Sequence, residues 1–239
     1  MDDSDTLPTH VVTPTATRPL LGLTILVVED SRYACDAIRL MCLRSGARIR
    51  RADCLGSARR HLKLYRPSVM IVDMGLPDGS GAILIEEMSR ISPRVPVILG
   101  MSGDDFAEDE AVAAGADGFL AKPLASLAVF QTAILSRLPP DRRPGGLRTV
   151  QDETIRPDPL TYQEDIAHIA DVLSADADGP TLDYVAQFTG GLARSADDPM
   201  LAEAAARLAQ ARARGAPVGA EAARLAGLIQ SRLKLPQAI

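Results

Sequence analysis

Three largely apolar runs stand out in the first half of the chain, at residues 23–28, 69–72 and 95–99. Runs of four to six residues that are apolar on both faces are typical of strands covered by helices on both sides. Residues 48–51 and 118–121 are weaker strand candidates. The hydrophobic pattern therefore predicts five strands.

Between the strand candidates, apolar residues recur every three or four positions, as on one face of a helix. The predicted helices lie at 34–45, 55–65, 82–90, 126–138 and, more briefly, near 108–114. Gly46 is expected to end the first of them. Strands and helices that alternate five times predict a doubly wound α/β fold, a five-stranded parallel sheet of order 2-1-3-4-5 with helices on both faces.

The pattern changes on both sides of this α/β unit, which we place at 21–138. Residues 1–20 hold five Thr and three Pro but few large apolar side chains, which predicts a disordered tail. Residues 139–159 hold five Pro and many charges, which predicts an extended linker. Residues 160–239 show only helical periods, and we expect them to form a small all-α domain.

Composition and charge narrow the functional classes. The net charge of -5 gives no general electrostatic case for nucleic acid binding. From Asp141 onward there are 11 Lys and Arg against 14 Asp and Glu, a balance of -3, although the 41 residues from Pro199 carry +4. Four arginines of this last part are expected on solvated helix faces. They are Arg207, Arg214, Arg224 and Arg232.

The three cysteines, Cys35, Cys42 and Cys54, are odd in number and lack metal-ligand spacing, so we expect buried thiols and no disulfide. The apolar run at 20–28 is about half the length that spans a bilayer, and the first 20 residues lack the order of a signal peptide. A cytoplasmic protein without a membrane partner is expected.

Carboxylates stand where predicted strands end. Glu29 and Asp30 follow the first strand, and Asp73 ends the third apolar strand. These strands are neighbours in the predicted order, so the three side chains should converge at one edge of the sheet. Because like charges so close together repel, a cation is expected between them, and oxygen ligands on an open site suit Mg²⁺.

Two further side chains complete this predicted site. Lys122 follows the fifth strand and should reach toward Asp73, and Ser102 follows the fourth strand with a hydroxyl. A carboxylate beside a metal, a lysine and a hydroxyl is equipped to attack a phosphoryl group while its neighbours neutralise the charge of the transferring oxygens.

Four segments together resemble the receiver domain of bacterial two-component response regulators: ILVVEDS at 25–31, VDMGLPDGSG at 72–81, MSGD at 101–104 and GADGFLAKP at 115–123. The resemblance covers about half of the chain. It implies that Asp73 is the phosphoacceptor, that Glu29 and Asp30 hold Mg²⁺, and that Lys122 contacts the phosphoryl group.

The same resemblance implies that Gly75 offers a backbone carbonyl to the metal and that Lys122-Pro123 is a cis peptide. It also implies that Phe119 is the aromatic switch residue, although the residues alone fit a plain core aromatic equally well.

The chain departs from the family pattern around the switch hydroxyl. Counting from Pro96, the usual strand length puts that position at Met101, which has no hydroxyl, whereas the Ser-Gly pair puts it at Ser102. We assign Ser102, with a one-residue β-bulge near Gly100 absorbing the offset. The interval from Ser102 to Lys122 is short, which predicts a short fourth helix.

The sequence thus predicts a signalling switch, not an enzyme beyond self-catalysed phosphorylation and dephosphorylation. The expected donor is a histidine kinase or phosphotransfer protein, and the helical domain is expected to bind a protein partner or a second copy. A DNA-binding transcription factor is the alternative, because the 41 residues from Pro199 carry a net charge of +4. A flavodoxin-like mononucleotide carrier or enzyme is disfavoured because Glu29 and Asp30 would repel a phosphate.

Overall fold

The computed structural model describes residues 13–104, 106–145, 152–174 and 178–234. Its strands are β1 (Thr24–Val28), β2 (Arg48–Ala52), β3 (Val69–Asp73), β4 (Gly75–Leu76), β5 (Gly79–Ser80), β6 (Val97–Ser102) and β7 (Gly118–Ala121). The first five α-helices are α1 (Arg32–Ser45), α2 (Leu55–Leu64), α3 (Gly81–Arg90), α4 (Ala107–Ala113) and α5 (Leu127–Leu135). Four more follow: α6 (Pro159–Ser174), α7 (Gly179–Ser195), α8 (Pro199–Ala213) and α9 (Gly219–Leu233).

Five strands form one parallel sheet in the order β2-β1-β3-β6-β7, and β4 and β5 make a separate antiparallel hairpin. The predicted doubly wound sheet of order 2-1-3-4-5 is confirmed. β1 shows why apolar runs predicted it: Ile25 and Val27 pack with α1 and α5 on one face, and Leu26 and Val28 pack with α2, α3 and α4 on the other.

Local sequence sets the ends of α1. The Ser31 side chain accepts a hydrogen bond from the Ala34 N–H at the start of the helix. Gly46 has φ of 81° at the other end, a left-handed conformation that glycine adopts without a Cβ clash. The predicted end of this helix is confirmed.

The predicted bulge near Gly100 is wrong. The Cα partners run without a skip from Val97 opposite Val69 to Met101 opposite Asp73. Pro96 has no N–H for the ladder, so β6 starts at Val97, later than predicted, and reaches Ser102 by continuous pairing. Gly100 instead makes room for α4, because a Cβ there would lie 2.6 Å from that of Ala111.

The segment after α5 stays on the sheet domain over its described part. Ile155 is buried in the α1–α5 side of the core, and its N–H donates to the Ala125 carbonyl at 2.8 Å. Residues 146–151 of the predicted linker, and 1–12 of the predicted tail, lie outside the described residues. Leu20, from the end of that tail, is fully buried against the same core.

The four C-terminal helices share a core of their own, built on residues such as Ile166, Val185, Leu201 and Leu225. Asp198 caps α8 by accepting from the Leu201 N–H, and Pro199 follows at the first helical position. Arg232 corrects the expectation of a solvated face, since it is partly buried in an ion pair with Asp198 at 2.8 Å. No helix in the described ranges is long and apolar enough to cross a bilayer.

Candidate functional site

Three carboxylates meet at the carboxyl edge of the sheet. Glu29 and Asp30 directly follow β1, and Asp73 is the last residue of the adjacent β3. Each offers an oxygen within 4.8 Å of the other two. The convergence expected from parallel strand ends is therefore present, and Glu29 and Asp73 are both buried.

Lys122 bridges two of these carboxylates. Its Nζ lies 2.7 Å from Glu29 Oε2 and 3.1 Å from Asp73 Oδ1. Burial by itself lowers the pKa of this lysine, but the Asp73 and Glu29 carboxylates outweigh it and raise the pKa above its ordinary value. The ammonium is thus fixed in its charged form. The Lys122-Pro123 peptide is cis, as the family resemblance implied.

One lysine does not neutralise the cluster. Burial, and then the Glu29 charge, raise the pKa of Asp73 to about 7. Burial and the neighbouring carboxylates likewise raise the pKa of Asp30. An excess of crowded, buried negative charge made only of oxygen ligands is the donor set that Mg²⁺ prefers. Glu29, Asp30 and Asp73 fit such an ion.

The structure separates the two candidates for the switch hydroxyl. Met101 is buried in the apolar core on the α1–α5 face. Ser102 is the last residue of β6 and lines the cavity above Asp73. Its Oγ accepts a hydrogen bond from the Asp104 N–H at 3.1 Å. Phe119 is half-buried against the opposite core face beside α4, which has the short length predicted.

The C-terminal helices supply residues to this site that sequence reasoning missed. The Tyr184 hydroxyl of α7 donates to Asp30 Oδ2 at 2.8 Å and lies 3.4 Å from His168 Nε2. Burial and the Asp30 charge raise the pKa of Tyr184, so the phenol keeps its proton and acts as a donor. An acidic ligand of the predicted metal is therefore already held by the helical half of the chain.

Asp165 of α6 ties the same two halves together. Its carboxylate accepts from the Ser31 hydroxyl at 2.7 Å and from the N–H groups of Arg32 and Tyr33 at 2.9 and 3.0 Å. These donors lie at the N-cap and in the first turn of α1, which begins two residues after Asp30. Asp165 is spaced three residues from Tyr162 and four from Ile169, so an acid on an apolar helix face was the available signal.

Residues 25–134 match the family described as the response regulator receiver domain. Over 99 residues the chain is 29% identical to the KDP operon transcriptional regulatory protein KdpE of Escherichia coli, covering 41% of this chain and 44% of KdpE. Over 100 residues it is 29% identical to the virulence transcriptional regulatory protein PhoP of Salmonella typhimurium, covering 41% and 45%. The match thus spans less than half the length of either relative.

Solved structures are similar over the same part. A two-component response regulator from Clostridium difficile has a TM-score of 0.43 at 22% identity, covering 48% of this chain and 97% of that one. The receiver domain of the sensor histidine kinase PA1611 from Pseudomonas aeruginosa, which has magnesium in its active site cleft, has a TM-score of 0.45 at 25% identity with the same coverage. On the family match and the observed sheet order, residues 25–134 form a response regulator receiver domain.

Proposed function

We propose that Asp73 accepts a phosphoryl group, with Mg²⁺ held by Glu29, Asp30, Asp73 and the Gly75 carbonyl. The observation that carries this proposal is the meeting of three carboxylates within 4.8 Å, with a buried lysine bonded to two of them. A histidine kinase, a phosphotransfer protein or a small acyl phosphate is the donor.

The transfer is a displacement at phosphorus. An Asp73 carboxylate oxygen forms the new P–O bond while the bond from phosphorus to the donor nitrogen or oxygen breaks, and its electron pair leaves with the donor. Lys122 neutralises charge on the transferring oxygens, and the Ser102 hydroxyl donates to one of them. Bound Mg²⁺ supplies further charge neutralisation. Turnover is limited to the chain's own phosphorylation and dephosphorylation.

The output proposed for the helical half is contact with a protein partner or a second copy. Three of its seven Lys and Arg residues are engaged in ion pairs within the fold: Arg207 with Glu203, Arg212 with Asp183, and Arg232 with Asp198. Each such pair reduces the positive charge available for phosphate contacts, which dominate DNA affinity.

Transcriptional regulation is named for KdpE and PhoP, so DNA binding is the second candidate. The two outputs differ in salt dependence. Retention of DNA fragments by the phosphorylated chain should be weak and unselective, and a protein interface with an apolar centre should respond little to salt. Tight, sequence-selective DNA binding, with a slope of log binding constant against log salt concentration of roughly -0.9 per phosphate neutralised, would establish DNA binding as the output instead.

Metal-dependent labelling tests phosphoacceptance. The wild type, Asp73→Asn and the exposed-site control Asp109→Asn are incubated with acetyl phosphate, with Mg²⁺ or with EDTA, and weighed by intact-mass spectrometry. Wild type and Asp109→Asn should gain one phosphoryl group only with Mg²⁺, and Asp73→Asn should gain none. Glu29→Ala/Asp30→Ala should lose labelling together with metal binding. Equal labelling of Asp73→Asn would refute the assignment.

A further inference from the structure

A cavity of about 930 Å³ lies between the acidic site and the helical half. Asp73, Ser102 and Lys122 line it from the receiver side, and α7 and α8 line it from the other side. The phosphoryl group proposed for Asp73 would therefore stand opposite α7. The polar side chains that α7 presents there are placed to act on it.

Two long polar side chains of α7 line this cavity, Gln187 and Arg194. They are seven residues apart, which is close to two helical turns and places them on one face. Gly190 and Gly191 lie between them and add no side-chain bulk to the cavity, which Phe188 and Leu192 also line. The face is open enough to admit a group and polar enough to bind one.

The Gln187 amide occupies the space where a side chain on Gly75, close to Asp73, would lie. Gly75, two residues after Asp73, has no Cβ, and one built there would overlap the Gln187 amide. The amide thus lies against the backbone next to the phosphoacceptor. An amide in such a place has both a carbonyl to accept from a water and an N–H to donate to a phosphoryl oxygen.

Arg194 lies on the other side of the site, over Gly103. A Cβ on Gly103 would come 2.7 Å from Arg194 Nη2, and Gly103 directly follows Ser102. Among the residues the structure describes, no carboxylate pairs with this guanidinium, whereas Arg212 of α8 is bound to Asp183 at 2.8 Å. Within the described part of the chain, Arg194 is therefore a cation without a carboxylate partner, at the rim of an anionic site.

In the phosphorylated state, the negative charge of the site would exceed the positive charge, and Arg194 could pair with the excess. A phosphoryl group on Asp73 carries about two negative charges, in addition to those of Glu29 and Asp30. Mg²⁺ and Lys122 supply three positive charges, one fewer than the negative total. A guanidinium matches this deficit and can bind two phosphoryl oxygens at once through its fork of N–H donors.

We infer that α7 contributes two groups to hydrolysis of the phosphorylated Asp73, an inference that rests on the proposed phosphoacceptance. Arg194 binds the phosphoryl oxygens as charge develops on them, and Gln187 orients the attacking water. The water oxygen forms a bond to phosphorus, the bond from phosphorus to the Asp73 oxygen breaks, and its electron pair restores the carboxylate. The protons of the water leave with the inorganic phosphate. The helical half then sets the lifetime of the signal.

Phosphoryl lifetimes test this role. The full-length wild type, Gln187→Ala and Arg194→Ala are loaded with radiolabelled acetyl phosphate and Mg²⁺, freed of the donor, and followed for loss of label. Each variant should lengthen the half-life by at least about tenfold, well below the roughly 10³–10⁵ that an arginine finger supplies in phosphoryl transfer. Arg194→Lys, which keeps the charge but not the fork, should recover part of the rate.

Arg207→Ala and Gln230→Ala are matched controls, since both positions are exposed on α8 and α9 and line no part of the cavity. Their half-lives should stay within twofold of the wild type. Labelling with unchanged or shortened half-lives in Gln187→Ala and Arg194→Ala would overturn this inference alone. A wild type that takes no label at all would overturn phosphoacceptance as well, so the two failures are distinguishable.

Discussion

Asp73 is buried beside Glu29, and this proximity sets its chemistry. A carboxylate in such a place holds a proton more tightly when folded than when unfolded, and its pKa is raised to about 7. Lys122 opposes the shift through its contact at 3.1 Å. The carboxylates of the site therefore repel one another, and binding of either a proton or a cation relieves this repulsion.

The stability of the metal-free protein should consequently fall between pH 5 and 7. Because the folded pKa of Asp73 lies above the unfolded value of 3.8, the folded state binds more protons in this window, and raising the pH removes that advantage. The slope for one such group is at most about 1.4 kcal/mol per pH unit.

Urea unfolding in EDTA at pH 5, 6 and 7 measures this slope. Asp73→Asn should show a shallower decline than the wild type, and added Mg²⁺ should flatten the wild-type curve. Identical slopes in the two proteins would show that Asp73 does not carry the titration.

A second prediction concerns the hydroxyl of a single residue, Ser102. Its hydroxyl can donate to a phosphoryl oxygen, and a hydrogen bond to a charged acceptor is worth about 1.5–3 kcal/mol. Ser102→Ala should still be labelled on Asp73 yet fail to show the conformational change that labelling causes in the wild type. Met101→Leu is the matched control, because Met101 is a core residue. A normal response in Ser102→Ala would remove the switch role from this hydroxyl.

At the scale of elements, α1 and α6 form the joint between the two halves. α1 begins two residues after Asp30, and Asp165 of α6 binds three donors at its N-cap and first turn. The sequence predicted both helices from apolar spacing. It could not predict the joint, since Asp165 and Ser31 are 134 residues apart and the contact depends on how the helical half is oriented.

Asp165→Ala should loosen this joint. Loss of the carboxylate leaves buried donors without an acceptor, at a cost of about 1–3 kcal/mol. Hydrogen exchange at the Arg32 and Tyr33 amides should speed up by one to two orders of magnitude, while the rest of the sheet stays protected. Glu164→Ala removes only an exposed ion pair with Arg32 and should change little. Unchanged exchange in Asp165→Ala would contradict the role given to this carboxylate.

Across the whole molecule, the helical half covers the acidic edge of the receiver. Tyr184 holds Asp30, while Gln187 and Arg194 lie over the glycines that flank the site. The receiver sheet and its acidic cluster were predictable because strand ends in a parallel sheet place residues by topology alone. The covering contacts were not, because they join surfaces whose match no local pattern encodes.

Tyr184→Phe tests whether the Tyr184 hydroxyl of the helical half competes with Mg²⁺ for Asp30. The phenol donates to Asp30, a proposed metal ligand, so its removal should tighten Mg²⁺ binding by about tenfold, the equivalent of one hydrogen bond to a charged group. Tyr65→Phe, whose hydroxyl contacts His61 on α2, is the control. Calorimetric titration with Mg²⁺ reads the affinity directly. Equal or weaker binding in Tyr184→Phe would show that the hydroxyl supports the metal site.

The central claim is that one carboxylate, Asp73, receives the phosphoryl group. Borohydride reduction converts a phosphorylated aspartate to homoserine, and tandem mass spectrometry of the peptides then locates the converted residue. After acetyl phosphate and Mg²⁺, the account predicts homoserine at position 73 alone and none when EDTA replaces Mg²⁺. Homoserine at position 30, or no conversion in the presence of Mg²⁺, would contradict it.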